Sequence, residues 1–522
     1  MKITILYLVL LIALSGCGDG SGAGDKTGDT DPSFGIDTAP PVEVQCPDSP
    51  PPVELSDSAI VVGDGSGASC DEAALRKAAD KVNSDGGGEI SFDCGGPHTI
   101  VLEQAIYLNS GSDGEIVIDG GGDITLSGGK STRILDLENH TNLTIQSISL
   151  EDGFVVDNEA EEENTPSNSG AAIRHPWYGT LVAIDVLFKN NHCASRDGEI
   201  GGGAVYAGGL SKAIFSGCTF KNNSASNGGG ILNRGSTLTV LNSVFAGNGA
   251  LSVGDGQFGN GGGLYIDGMN YDTSGDFIMC GTRFVQNTAM THGSGVFAYF
   301  YEGSQSTITD CEFNGNSFGD PASGSGALYH ESVPLLLRGT TFANQTTGAH
   351  AGAIFVGQNT VATIENCTFA DNSVTTNGGA IFNGAATANF TNCTFTGNSA
   401  DYGPAIFKGK EAAIGLKNCI FSYNTTQNEY SATSCHESFT DNGGNIQWPE
   451  IKNNGNPDTP CTEGIVFADP LLQTLGDNGG FSLTAAIAKD SPAIDLGSDC
   501  PKVDQRGEPR SASCDAGAFE LQ

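Results

Sequence analysis

Cys367-Thr368-Phe369-Ala370-Asp371-Asn372, followed by Gly379-Ala380-Ile381-Phe382, is a phrase that the chain keeps repeating. Its first half returns as Cys218-Thr-Phe220 to Asn223, Cys311-Glu-Phe313 to Asn316, Cys393-Thr-Phe395 to Asn398 and Cys419-Ile-Phe421 to Asn424. Degenerate copies end at Leu150, Phe188, Phe245, Phe284 and Phe342. The second half returns as Gly229-Gly-Ile-Leu232, Gly262-Gly-Leu-Tyr265 and Gly352-Ala-Ile-Phe355. Phe369, Phe395 and Phe421 are spaced 26 residues apart. A fixed period in the twenties is the mark of a solenoid.

One copy contains two alternating apolar pairs, Ala362 and Ile364, then Cys367 and Phe369. Each pair has period 2 and reads as a short strand with one buried face. The step of three between the pairs breaks the parity, so the chain must bend there. The Gly-Ala-Ile-Phe phrase supplies a third strand. The expected fold is therefore all-β: a three-sided, right-handed parallel β-helix of about a dozen coils, stacked about 4.8 Å apart. Stacking makes interior ladders of Cys218, Cys311, Cys367, Cys393 and Cys419 and of Phe220, Phe313, Phe369, Phe395 and Phe421. It also makes a turn column of Asn223, Asn316, Asn372, Asn398 and Asn424, completed by Asn191, Asn248 and Asn287. Gln345 keeps the amide in one coil. Asn tolerates left-handed backbone, and stacked amides satisfy one another. The helical stretch Asp71 to Val82 carries Leu75, Ala78, Ala79 and Val82 on one face and is read as the cap of the first coil.

Lys2, the apolar run Ile3 to Leu14 and Leu14-Ser-Gly-Cys17 form a processing signal, since twelve apolar residues are too few to span a bilayer. The ending resembles a bacterial lipobox. That resemblance implies residues 1–17 as signal peptide, a lipidated Cys17 and, with Gly18 rather than Asp following, the outer membrane. Residues 18–58 are rich in Gly, Asp and Pro and read as a disordered acidic tether. Residues 59–430 hold the β-helix, and 431–522, where the period stops, a C-terminal module that closes the solenoid's other end. The net charge of −38 argues against nucleic acid and anionic headgroups as partners.

The cysteines outside the ladder include Cys46, Cys70, Cys94, Cys193, Cys435, Cys461, Cys500 and Cys514. In an exported protein, Cys500 and Cys514 are expected to form a disulfide, and Cys435 with Cys461 is a weaker second candidate. No zinc spacing occurs.

The Phe-x-x-Asn and Gly-Gly-Ala-Ile pair resembles the repeats of chlamydial polymorphic outer membrane proteins over about Ala171 to Asn424. Those are surface β-helical passengers, several of them adhesins; this chain lacks their C-terminal membrane barrel. The opening, Ala74 to Gly153, resembles pectin-lyase-like β-helices. The tail, with Asp504-Gln-Arg506-Gly and Cys514-Asp-Ala-Gly-Ala-Phe519-Glu520, is similar to the choice-of-anchor Q module of bacterial surface β-helices.

β-Helices of this shape host polysaccharide enzymes, but the fold alone does not confer activity. The Asp-Asp, Gly-His-Gly and Arg-x-Lys elements of a polygalacturonase-like hydrolase do not occur. A pectate-lyase-like enzyme needs an Arg base and an acidic calcium cluster. Arg174 is the candidate base, with Asp157, Glu159, Glu161, Glu162 and Glu163 as nearby acids; the plainer reading is an irregular coil with a solvated loop. His175 and His330 share one column five coils apart, roughly 24 Å, too far for shared proton transfer. Insertions at 157–169, 249–260 and 268–275 carry aromatic residues beside them. Trp177, Tyr178, Tyr271, Tyr299 and Tyr301, with Glu302, are the ligand-binding candidates. The preferred function is a lipid-anchored surface β-helix for adhesion or glycan binding, with extracellular polysaccharide or another cell surface as partner. The alternatives are a lyase with calcium as cofactor and a structural envelope spacer.

Overall fold

The computed structural model describes residues 46–156, 166–194, 200–251, 259–269, 276–301, 303–319 and 324–522. The chain divides into Met1–Pro40 and Pro41–Gln522, and every described residue belongs to the second unit. Cys17, Tyr271, Glu302 and the acids from Asp157 to Glu163 lie outside the described residues.

The second unit is the expected parallel β-helix. Strands pair in parallel with their counterparts one repeat earlier and later, as Phe369 with Phe342 and Phe395, and Ile381 with Ile354 and Ile406. Three faces follow one another in each coil. The first holds eleven strands from Ile106–Leu108 to Ile406–Lys408 and carries the Ile-Phe phrase. The second includes Thr387–Thr391 and the third Thr394–Thr396. A fourth series of eight two-residue strands, from Phe154–Val155 to Ser373–Val374, was not visible in the periodicity.

The parity break between the second and third faces is made by one left-handed residue per coil. Asp185, Gly217, Asn242, Asp310, Asn366, Asn392 and Asn418 all have φ between 46° and 66°. These small or short polar residues tolerate that region best. A second left-handed corner precedes the Asn column, at Asn190, Asn222, Gly247, Gln286, Asn344 and Asp371 among others. This corrects the expectation that the column residue itself is left-handed. The column faces inward, and the corner falls one residue before it.

The Phe column is a continuous interior stack. Phe188, Phe220, Phe245, Phe284, Phe313, Phe342, Phe369, Phe395 and Phe421 are fully buried, with successive centroids 4.5 to 5.5 Å apart. The five ladder cysteines are buried free thiols. Burial pushes Cys218 up to about 12 and Cys393 and Cys419 well above the ordinary thiol value. Such thiols are inert at neutral pH. In the Asn column, the backbone N–H and Nδ2 of Asn223 both donate to Asn248 Oδ1 at 3.0 Å, and Nδ2 also donates to Phe188 O. The pattern repeats from Asn191 to Asn316, and again through Asn372, Asn398 and Asn424. Gln345 accepts from Asn316 but turns its own Nε2 to Ala343 O.

The cap helix, Glu72–Asp85, buries Leu75, Ala78, Ala79 and Val82 against the first coils. Asp71 caps its N-terminus through Ala74 N–H, and Gly86, at φ 74°, ends it in the left-handed region.

Both ends of the expected domain scheme shift. Residues 46–58 belong to the folded unit: Cys46 is bonded to Cys280, Val53 exchanges two hydrogen bonds with the Gln146 amide, and Ser56 donates to Glu89. The segment therefore passes along the outside of the coils instead of hanging free. At the other end, coil pairing runs on through Ile446–Trp448 to Val466–Phe467. The rest of the tail does not close the end. It folds back along the outer side of the third face: Thr341 donates to Leu483 O, Thr368 to Gln505 Oε1, and Ala518 N–H donates to Thr394 Oγ1. Cys70–Cys94, Cys435–Cys461 and Cys500–Cys514 are also disulfides.

Candidate binding face

Alternation along the first face puts the Ile of each Ile-Phe phrase inside and the next residue outside. The outside positions form a file in strict register. It begins Tyr107, Asp136, Arg174, continues through Tyr206, Leu232 and Tyr265, and ends in Phe297, Tyr329, Phe355, Phe382 and Phe407. Tyr206, Leu232 and Tyr265 are buried, whereas the last five rings are half-buried. From Tyr265 to Phe407, successive centroids lie 4.7 to 5.3 Å apart with planes within 18°. His436 closes the stack on Phe407 at 4.4 Å. Rings stacked this way turn their edges, the positive rim of the quadrupole, to solvent. The signal was present in the phrase itself, because the residue after an inward Ile must point out.

The start of the same file is charged. Arg174 Nε donates to Asp136 Oδ1 at 2.5 Å, and Arg133 approaches the other Asp136 oxygen at 3.5 Å. Tyr107 donates to Glu138 at 2.7 Å. That hydrogen bond, aided by the Arg174 charge, holds the Glu138 carboxyl below its usual range. Arg174 is thus a rung of the outer file, held by a carboxylate. Among the described residues no three His, Cys, Asp or Glu side chains converge as metal ligands.

Around the corner from the aromatic file, the two-residue strands present a file of hydroxyls. Thr288, Ser317, Thr346, Ser373, Ser399 and Thr425 occupy six successive outward positions, while their neighbours Ala289, Thr347, Val374 and Ala400 are buried. Ser317, Thr346, Ser373 and Ser399 line a groove of about 410 Å³ with Phe318 towards one end and Asp401 and Gln427 at the other. Each of these hydroxyl residues directly follows the column amide, so Phe-x-x-Asn-Ser/Thr was the legible signal. His350 sits between the two files, 5.0 Å from Phe382, and burial lowers its basicity.

The sequence candidates are not brought together. Tyr178 stacks on His140 at 4.7 Å near Trp177, in the early coils. Tyr299 and Tyr301 meet edge to face at 6.0 Å, well down the solenoid. The segments outside the described residues at 157–165, 195–199, 252–258 and 320–323 all enter the chain between a two-residue strand and the following first-face strand, and 270–275 leaves just after one. In chain order, the insertions therefore flank the first face.

His175 and His330 lie on the inward side of that face. Both are fully buried. His175 Nε2 pairs with Thr141 O at 2.7 Å, and burial lowers its pKa to about 4. His330 has neither ring nitrogen hydrogen-bonded, and burial lowers it to about 3. Neither faces solvent or the outer file.

Residues 139–342 match the family model described as right handed beta helix region, and residues 366–384 match the Chlamydia polymorphic membrane protein (Chlamydia_PMP) repeat. The shorter match spans Asn366 to Gly384 and contains both halves of the repeated phrase. No curated protein matches the chain.

Proposed function

We propose that this right-handed β-helix, with repeats of the kind found in outer-membrane surface proteins, is a cell-surface protein that binds an extracellular glycan through its first face and is held to the outer membrane by lipid on Cys17. One observation carries the reading: five half-exposed rings and six hydroxyls run as parallel files on adjoining faces, and in chain order the insertion at 320–323 falls between the two. Insertions of a solenoid gather on its binding face. Ring edges and hydroxyls offer C–H and O–H contacts to a polyhydroxylated chain without charge, which suits a protein of net charge −38.

The test is a glycan array with the Cys17→Ser protein, with and without calcium. Phe355→Ser with Phe382→Ser, both outward and half-buried, should lower glycan binding at least tenfold while the coils stay folded, at a stability cost of about 2–4 kcal/mol for the lost stacking. Undiminished binding would remove the first face from consideration. Ultraviolet-absorbing unsaturated products from a polyuronate, lost in Arg174→Ala, would replace this reading with a calcium-dependent lyase. Quantitative partitioning of Cys17→Ser into detergent would remove the lipid anchor alone.

A further inference from the structure

The N-terminal strap has a definite path. From Cys46, bonded to Cys280, it passes Ser49, whose hydroxyl lies 2.9 Å from that of Ser216, then Val53 on Gln146 and Ser56 on Glu89. Only afterwards does the chain begin to wind, with Ile60–Gly63 pairing to Ile90–Asp93. The strap crosses six coil steps, about 29 Å at 4.8 Å each. Ten residues from Cys46 to Ser56 reach at most about 33–36 Å. The strap is therefore nearly taut.

The column beneath it is adapted to being covered. Gln146, Ile184, Ser216, Leu241 and Cys280 stack in register at the end of the second face, and all are buried. The same column continues beyond the strap as Thr309, Arg338, Glu365, Thr391 and Lys417, none of them buried. Its character changes from uncharged to largely charged at the coil where Cys46 is bonded.

From this we infer that Cys46–Cys280 is a mooring. Tension on the N-terminal segment enters the solenoid at the Cys280 coil, and the closed loop from 46 to 280 lies outside the load path. The first rung of the half-exposed aromatic file, Phe297, is in the next coil. A bound ligand and the membrane would thus pull on each other through the coils of the binding region, while the N-terminal half stays unloaded. This rests on the reading that the N-terminal segment holds the protein to the membrane.

The experiment is single-molecule pulling of the full chain, with one handle between residues 18 and 45 and the other at the C-terminus. The disulfide spans 234 residues. Complete unfolding of the wild-type chain should withhold about 840 Å at Cys46–Cys280, at about 3.6 Å per residue, besides the shorter loops closed by Cys435–Cys461 and Cys500–Cys514. Cys46→Ser with Cys280→Ser should lengthen the extension by about 760 Å, because Cys70–Cys94 inside the released segment still holds its own loop closed. A wild-type chain whose extension already includes the length between Cys46 and Cys280, less the Cys70–Cys94 loop, overturns the mooring, and this result needs no variant to fold. The measurement is independent of the lipid. Shortened extension together with a Cys17→Ser protein that still partitions into detergent would uphold the mooring and refute the lipid anchor.

Discussion

The two halves of the solenoid are dressed on the same side by different means. Up to the Cys280 coil, a single extended strap covers the corner column and is fixed by a disulfide. From Arg283 onward a folded tail covers the neighbouring column on the third face. Arg283 donates to Phe481 O, and Thr341, Thr368, Thr394 and Ile420 are buried beneath the tail, although all face outward. The first cover is covalent and thin, with few side-chain contacts. The second is non-covalent and is organised by its own buried ion pairs, Arg506–Asp504 at 2.7 Å and Arg510–Glu520 at 3.0 Å. Arg506 also lies over the Phe519 ring. The comparison shows that a column on a β-helix is written for whatever lies on it. Uncharged residues mark the strap, threonines mark the tail, and charges mark open water.

The largest effect should come from breaking the second cover. Glu520→Gln removes the carboxylate paired with buried Arg510, leaving only the more remote Asp504 and Asp515, and should cost about 3 kcal/mol. Proteolysis beyond residue 470 should rise while the coils before Cys280 stay protected. Loss of protection throughout would show that the tail and the solenoid form one cooperative unit.

Exchanging the column's chemistry across the boundary comes next. Leu241→Lys puts into the covered half the residue type that the open half carries at Lys417, and burying that unpaired charge should cost about 3 kcal/mol. Arg338→Leu is the reverse exchange. Arg338 is half-exposed and 3.3 Å from Glu365, so the change should stay within about 0.5–1 kcal/mol. Equal costs by chemical denaturation would mean that the strap does not decide the column.

Acid acts on both halves, and more gently. His175 lies in the first half and His330 in the second, with pKa values lowered to about 4 and about 3. In the unfolded chain both titrate near 6.5, so below that pH the unfolded state binds more protons and stability falls. By pH 5 each should cost about 2 kcal/mol. Asp310, raised to about 6 chiefly by burial, works in the opposite sense: its folded form takes up a proton first and gains about 1 kcal/mol by pH 5. Hydrogen exchange at pH 7 and 5 should therefore show loss of protection in both halves, because burial also lowers His192 before Cys280 and His292, His350 and His436 after it.

The periodic part of this molecule was legible because every coil meets the same environment. Phe, Cys and Asn recur wherever the interior recurs, and the helix cap announced itself by spacing. The Ile-Phe and Asn-Ser/Thr pairs carried the outer files by parity alone, yet aromatic residues near insertions drew attention to Trp177 and Tyr299 instead. The covers were hidden because they are used once. Cys46 and Cys280 are 234 residues apart, and Cys280 stands just before the left-handed corner, outside the ladder register. Only the change from Leu241 and Cys280 to Arg338 and Glu365 in one column betrayed them, and that column has no meaning until the coils are stacked.

The file of column amides has a direction. Every Oδ1 points toward the preceding coil and receives its N–H groups, so the side-chain dipoles, each comparable to the ~3.5 D of a peptide unit, add along the axis. Gln345 interrupts the side-chain relay but keeps the sense. The outer oxygen, on Asn191, takes the N–H of Gly153, and the outer amino group, on Asn424, donates to Ser434 Oγ. One reversed amide would set two oxygens face to face on one side and two amino groups on the other. The column is thereby a polar filament with a stopper at each end, able to hold only one orientation along its whole length.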